Sequence, residues 1–448
     1  MDTEYDIYIN RQFNRLIELL LSEYEHQTTT NIIHQRLETL LDHLAKHITD
    51  KPETLKHIFK CSIPSPYIII QSLVTLSLYS PNERHLKLSE WLNQHVAWLD
   101  TEPRKHITTI CLSTLTYIEQ WLEYSQANQV LTREQISGRI YRLLNCFIAG
   151  LGTSALFYKL ITHGEGHRFS LEYLFVVAGC YTLLDHLVDD IGSSHSDLTK
   201  QAIEIFNWYI TRLETALHDH PTMYSCSSLT PLMQEYNRAI YWLITLLTKS
   251  ISDNDKLCEV IGIMRLCFNV EIRCFKEQTL SSQHWISVIQ LGVLKGLSAG
   301  YLISTGALND LYSEYSVLIQ LLDDLSDYTE DTQAGIRTFA GCVQSLEEYA
   351  VKVGECLAEF IDKYKSTVLA DTEFMLGGPP AMEYVIPALI MYWLYCMCKT
   401  PSLHPIVRHC TNRLGLTRVI DPCRILDSRR EKHSAKQNLW KIMKEFRA

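Results

Sequence analysis

Apolar residues recur at three- and four-residue spacing along almost the whole chain, which is the signature of amphipathic helices. Phe13, Leu16, Ile17, Leu20, Leu21 and Tyr24 form one such stripe near the N-terminus. Alternating apolar and polar runs bounded by hairpin turns, the mark of strands, are missing. With 18 glycines and 13 prolines, the long periodic segments meet few breakers. The pattern predicts an all-α protein. Breaks near Lys51-Pro52, Ile63-Pro64-Ser65-Pro66, Ser80-Pro81-Asn82 and Thr101-Glu102-Pro103 divide residues 1 to about 130 into several helices with no chemical motif. A joint at Ser125-Gln126-Ala127-Asn128 and a capping-box signature at Thr132-Arg133-Glu134-Gln135 separate this N-terminal helical extension (1–130) from a more apolar region, 131–448. There helices are expected at about 136–161, 170–191, 198–218, 229–250, 255–279, 284–308, 311–333, 343–368 and 381–398. No repeat and no low-complexity tract interrupts them.

Composition narrows the classes. Hydrophobic residues make up 46% and charged residues 21%, enough for a sizeable core rather than disorder. A net charge of -10 argues against general nucleic-acid binding, which needs a basic footprint. The C-terminal tail turns basic, with Arg413, Arg418, Arg424, Arg429, Arg430, Lys432, Lys436, Lys441, Lys444 and Arg447. It reads as a solvated terminal helix, or alternatively as a contact with a diphosphate or an anionic membrane surface. The 14 cysteines are scattered without C-x-x-C spacing, as expected of reduced, mostly buried thiols. The acidic start Met1-Asp2-Thr3-Glu4-Tyr5-Asp6 lacks an apolar signal region, and a cytoplasmic location is expected. The longest uncharged apolar run, Tyr384 to Cys398, has 15 residues and contains Pro387. It is short of the roughly 20 residues a membrane span needs and predicts a buried helix.

Candidate chemistry sits in two acidic clusters. The first is Leu184-Asp185-His186-Leu187-Val188-Asp189-Asp190. The second runs from Gln320 through Asp323, Asp324, Asp327, Glu330 and Asp331 and is closed by Gly335. Residues four apart on a helix differ by only roughly 40° around its axis. Asp185 and Asp189 therefore share a face, as do Asp323, Asp327 and Asp331. Both clusters occupy the last turns of their helices, where the helix dipole opposes negative charge, so they call for cations. The helix from Leu171 to Ile191 is apolar on nearly all sides, which predicts burial and a cost for any unpaired carboxylate. Acids salt-bridged to arginines are the structural alternative. Hard oxygen donors without a cysteine or histidine set suit Mg²⁺ or Mn²⁺. The histidines are read as lacking metal-site spacing, with His186 a cavity neighbour or a packing residue.

At these residues the chain resembles the class I isoprenoid synthase superfamily, which includes prenyl diphosphate synthases, squalene and phytoene synthases, and terpene cyclases. Asp185-x-x-x-Asp189 looks like the first, aspartate-rich motif. Gln320-x-x-Asp323-Asp324-x-x-Asp327 resembles the second motif of prenyl diphosphate synthases. Asp327-x-x-Glu330-Asp331-x-x-x-Gly335 resembles the squalene and phytoene version, and the Asp323, Asp327, Asp331 spacing the terpene-cyclase one. Asp185 and Asp323 stand 138 positions apart, similar to that family's separation. The resemblance covers about 135–400 and implies an isoprenoid synthase-type helical bundle, with 131–448 as the catalytic domain. His186 stands where a second aspartate is usual. The arginine pair and the Gly-Gly-Lys-Arg segment of chain-elongating enzymes are missing, and His163-Gly164-Glu165-Gly166-His167-Arg168 is a poor substitute.

These departures favour a terpene synthase, which ionises one allylic prenyl diphosphate and needs no second diphosphate site. The resemblance implies Mg²⁺ (or Mn²⁺) on Asp185, Asp189, Asp323, Asp327 and Asp331, the first four also serving as catalytic residues. It implies a diphosphate contact from Lys295 by analogy. Arg265, Asn269, Arg273 and Lys276 recur along one helix face as further candidates, with a salt-bridged surface stripe as the alternative. Arg337, just past Gly335, is a candidate to close over the site. Phe147, Phe157, Phe175, Tyr181, Phe268, Tyr301 and Trp393 are candidate walls for a carbocation, or plain core. A prenyltransferase of the same fold, chain-elongating or head-to-head, is the alternative activity, and a non-catalytic partner subunit the alternative class. The expected partner is the prenyl diphosphate, without nucleic acid or a transmembrane span; peripheral membrane contact and a homodimer stay open.

Overall fold

A computed structural model describes residues 4–21, 30–48, 196–215, 222–250, 254–278, 285–303, 310–343, 345–370 and 382–417, together with Glu90. Every regular element among them is helical, and the chain is all-α. The elements are α1 (Glu4–Leu21), α2 (Thr30–Ile48), α3 (Ser196–Thr215), α4 (Pro231–Ser250), α5 (Asn254–Gln278) and α6 (Trp285–Ile303). They continue as α7 (Asp310–Ala334), the short α8 (Phe339–Cys342), α9 (Leu346–Ala370), α10 (Met382–Cys398) and α11 (His404–Arg413), with a 3₁₀ turn at Pro401–Leu403 before α11. The helices expected at 136–161 and 170–191 lie outside the described residues.

The chain divides into two compact units. One comprises residues 61–261, 374–379 and 428–448, and its described part is α3, α4, the start of α5 and Glu90. Thr230 caps α4, receiving the Met233 N–H on its Oγ1 at 3.4 Å, and Pro231 occupies the first helical position, where its missing N–H costs nothing. Buried Tyr209 ties the two helices together by donating to Asn237 Oδ1 at 2.7 Å.

The other unit comprises residues 1–60, 262–373 and 380–427. Its centre is α7, which packs on α6, α9 and α10. The α6–α7 approach is set by Gly296: a Cβ there would lie 2.8 Å from Val317 Cα, so only glycine lets the backbones come this close. Tyr315, Val317, Leu318, Leu321, Leu322 and Leu325 fill the buried face of α7. The uncharged run in α10 is mostly buried, as the sequence predicts, with Leu389, Ile390, Met391, Trp393, Leu394, Cys396, Met397 and Cys398 enclosed, but Tyr392 and Tyr395 are exposed. No helix among the described residues is long and apolar enough to cross a membrane. The described cysteines are free thiols, and Cys267, Cys396, Cys398 and Cys410 are buried.

The first two helices, from the segment set apart on sequence as 1–130, are built into this unit. Helix α1 lies against α6, and its polar side meets the start of α7. Tyr8 donates to Asp310 Oδ1 at 3.0 Å and Gln12 Nε2 to the same oxygen at 2.6 Å. Helix α2 packs on α9, burying Ile33, Leu37, Leu40, Leu41, Leu44 and Ile48. Arg36 pairs with Glu355 and His43 with Asp362, both partners advancing by seven residues, so α2 and α9 run in the same direction. At their contact Gly354 leaves room for Leu40 and the Trp393 ring.

Candidate functional site

Helix α7 carries the second acidic cluster in its last turns. The helix ends in a Schellman motif: Gly335 adopts a φ of 74°, Ile336 N–H bonds Asp331 O at 2.9 Å, and Gly335 N–H bonds Thr332 O at 3.3 Å. Gly335 is therefore the stop that the sequence places there, and Asp331 sits three residues before the cap.

The adjacent acids of the cluster divide between two faces. Asp324 turns inward and is buried. Its Oδ1 accepts from Gln320 Nε2 at 2.9 Å, and its Oδ2 from the Phe339 N–H at 3.1 Å. This carboxylate thus satisfies the first N–H of α8, which no side chain at Thr338 caps. Burial pushes the Asp324 carboxyl up to about 6, against the lowering by Gln320, the positive charge of Lys295 and the Phe339 N–H. Asp324 is a structural acid that holds the turn after α7.

Asp323 and Asp327 take the other face, which is turned toward α10. Asp327 Oδ1 lies 3.1 Å from Lys399 Nζ, with both side chains more than a third exposed (40% and 36%). Ser326 Oγ donates to Asp327 Oδ1 at 2.8 Å and also contacts the Lys399 ammonium. Burial disfavours charge on Lys399, yet Asp327, Tyr395 and Cys396 together hold it above the ordinary lysine range. Tyr392 is raised well above its ordinary value by Cys396, burial and the negative charges of Asp323 and Asp327. Tyr392 and Tyr395 stack with centroids 6.4 Å apart, and the Lys399 ammonium stands 5.9 Å from the Tyr395 ring. The site is thus a half-open strip with two carboxylates on α7, two tyrosines on α10 and a lysine in the turn just after α10.

Of the proposed diphosphate contacts, Lys295 lies on α6 with its Nζ 3.5 Å from Glu271 Oε2, the two side chains 14% and 2% exposed. Its charge also reaches Asp324, so it belongs to the inner side of α7. Arg265, Asn269 and Arg273 lie on the exposed side of α5. Arg273 Nε bonds Glu277 Oε1 at 2.8 Å, an i,i+4 surface pair of the kind the alternative reading expects. Arg337 lies beside Cys342, whose thiol burial pushes up and the guanidinium pulls down. Phe268 and Trp393 are core residues, and Trp393 donates to Ala350 O at 2.9 Å. Asp185 and Asp189, with Phe147, Phe157, Phe175 and Tyr181, lie outside the described residues, as does the side chain of Tyr301.

Two features were missed on sequence. Lys399 is the first charged residue after the uncharged run ending at Cys398, and that position was its signal. Against the expectation that the histidines lack metal-site spacing stands one pair that the structure brings to a carboxylate. His43 and His47 are four apart on α2, share a face, and meet Asp362 of α9 with ligand atoms all within 4.8 Å of one another. No family model, no curated protein and no solved structure matches this chain.

Proposed function

We propose that the chain is a Mg²⁺-dependent class I terpene synthase that ionises an allylic prenyl diphosphate. The observation that carries this reading is the pairing of Asp323 and Asp327, one turn apart and half-open on the α10 side of α7, beside a retained cation at Lys399. Their donor chemistry fits the ion: Mg²⁺ takes hard oxygens, needs only one or two carboxylates, and fills its remaining positions with water and substrate phosphates. Asp323 and Asp327 would hold it, with Asp331 one turn further along and Asp185 and Asp189 contributed from the first motif. Bound metal would supply charge neutralisation of the diphosphate leaving group. Lys399 would have to give up Asp327 for that to happen, and its freed ammonium would be available to a diphosphate oxygen. Tyr392 and Tyr395 present aromatic faces beside the same strip, suited to a nascent allylic cation.

The test is incubation of the full chain with geranyl, farnesyl or geranylgeranyl diphosphate and Mg²⁺, with and without isopentenyl diphosphate. Hydrocarbon or alcohol released from a single substrate is expected, and Asp327→Asn should lower turnover by at least about 100-fold, roughly 3 kcal/mol of barrier. Dependence on isopentenyl diphosphate, or dimeric products, would replace the synthase with a prenyltransferase.

The Lys399–Asp327 pair itself favours a second reading, a non-catalytic partner subunit whose acid row is satisfied internally. Absence of both turnover and heat of binding, with Mg²⁺ and all three diphosphates, would establish that reading instead.

A further inference from the structure

We propose that His43, His47 and Asp362 form a zinc site that clips α2 to α9. It is separate from the acid row of α7 and does not depend on the proposed activity. His43 and His47 differ by one helical turn, so both imidazoles leave α2 on the side that packs against α9. Their ring centroids are 5.5 Å apart. Asp362 on α9, its side chain half-exposed, brings Oδ2 to 3.2 Å from His43 Nε2. Two ligands at zinc bonding distances of about 2.0–2.2 Å, in a tetrahedron, stand about 3.3 Å apart. The observed separation is thus that of two ligands already spanning one edge of a zinc polyhedron.

The hydrogen bonding at His43 points the same way. His43 Nε2 is shut off from solvent and makes no hydrogen bond; its approach to Asp362 lacks hydrogen-bond geometry. A buried nitrogen that faces a carboxylate oxygen at 3.2 Å without hydrogen-bonding it is an arrangement that an ion shared by both groups would satisfy. The other carboxylate oxygen, Asp362 Oδ1, accepts from Lys365 Nζ at 2.7 Å. That bond fixes the carboxylate and leaves Oδ2 as a single donor toward the histidines, as outer-sphere partners do around ligating carboxylates. The Lys365 ammonium opposes a dication, which Asp362 offsets.

Two imidazoles and one carboxylate are borderline donors that suit Zn²⁺ better than Mg²⁺, and three protein ligands leave one position for water. The helices are held in place without metal by the Arg36–Glu355 pair and by the buried stripe from Ile33 to Ile48. The α2–α9 packing therefore stands on these contacts, and metal binding is not required to fold α2.

The experiment uses the full chain, stripped with a chelator and dialysed, then titrated with Zn²⁺ in competition with a chromophoric chelator of micromolar affinity. One tight equivalent is expected, lost in His43→Gln and His47→Gln. Asp362→Asn should weaken it by more than about a hundredfold, beyond the cost of losing only an outer partner. Substitution with Co²⁺ should give visible d–d absorption without thiolate-to-cobalt charge transfer, which separates this site from the cysteines. Asp323→Asn/Asp327→Asn should retain the equivalent, so failure here and failure of the proposed activity are read independently. Arg36→Gln, which perturbs the same helix pair but no ligand, should also retain it, and circular dichroism of each variant shows whether loss reflects misfolding. Identical zinc uptake by the wild type and the histidine variants would overturn the proposal, as would thiolate bands on the bound cobalt or no uptake against the chelator.

Discussion

Replacing Asp324 by asparagine isolates the cost of burying one charge. A rise from the ordinary 3.8 to about 6 means that the folded chain binds this proton more tightly than the unfolded chain does. The sign follows: a group whose folded value is raised stabilises fully below its unfolded value and loses that stability as pH climbs through the folded one. Stability should therefore fall between about pH 4 and pH 6 and stay lower above that. The rise corresponds to about 3 kcal/mol. Asparagine keeps one acceptor for the Phe339 N–H, and its amide can donate to a flipped Gln320, so both bonds are retained. Asp324→Asn is expected to match the wild type near pH 4 and to exceed it by up to about 3 kcal/mol at pH 7. Asp324→Ala, which orphans the Phe339 N–H, should lose about 1–3 kcal/mol relative to Asp324→Asn. Urea unfolding at half-unit pH steps, with chelator present, measures the differences, and hydrogen exchange of the segment around Phe339 reports the local cap. Parallel stability profiles for wild type and Asp324→Asn across pH 4–7 would refute the reasoning.

Lys399→Gln should change stability by less than about 1 kcal/mol, because the pair with Asp327 is more than a third exposed on both sides. Calorimetry on the same variant should show tighter Mg²⁺ binding, since a competing cation has gone; unchanged affinity would place the metal elsewhere. Gly296→Ala brings a methyl to 2.8 Å from Val317 Cα and must push α6 off α7, at a cost of about 1–3 kcal/mol in unfolding free energy, read as a lower denaturant midpoint. An unaltered midpoint would show that the two backbones can separate without loss.

The long helices were legible because their apolar stripes persist for many turns. The stretches expected at 284–308, 311–333, 343–368 and 381–398 appear as Trp285–Ile303, Asp310–Ala334, Leu346–Ala370 and Met382–Cys398. Phe339–Cys342 is too short to show a period, and His404–Arg413 is too polar to show a stripe, so neither was visible. Within the site, the shared face of Asp323 and Asp327 follows from helical geometry alone. The division of labour between Asp323 and Asp324 does not: it depends on α8 folding back to present the Phe339 N–H. Lys399 pairs with Asp327 across 72 positions, a contact set by how α7 packs on α10 rather than by any local pattern. The i,i+4 spacing of His43 and His47 could be read on sequence, but its meaning comes from Asp362, which belongs to a helix far along the chain.

The hydrogen bond from Tyr8 to Asp310 spans 302 positions, and this has a consequence for biosynthesis. At a translation rate of about 5–20 residues per second, the first helix waits roughly a quarter of a minute to a minute for its partner to emerge. Among the described residues, the helices on which α1 and α2 pack, α6 and α9, are both made late. A fusion partner that shields the leading segment until those helices emerge should raise the yield of native material.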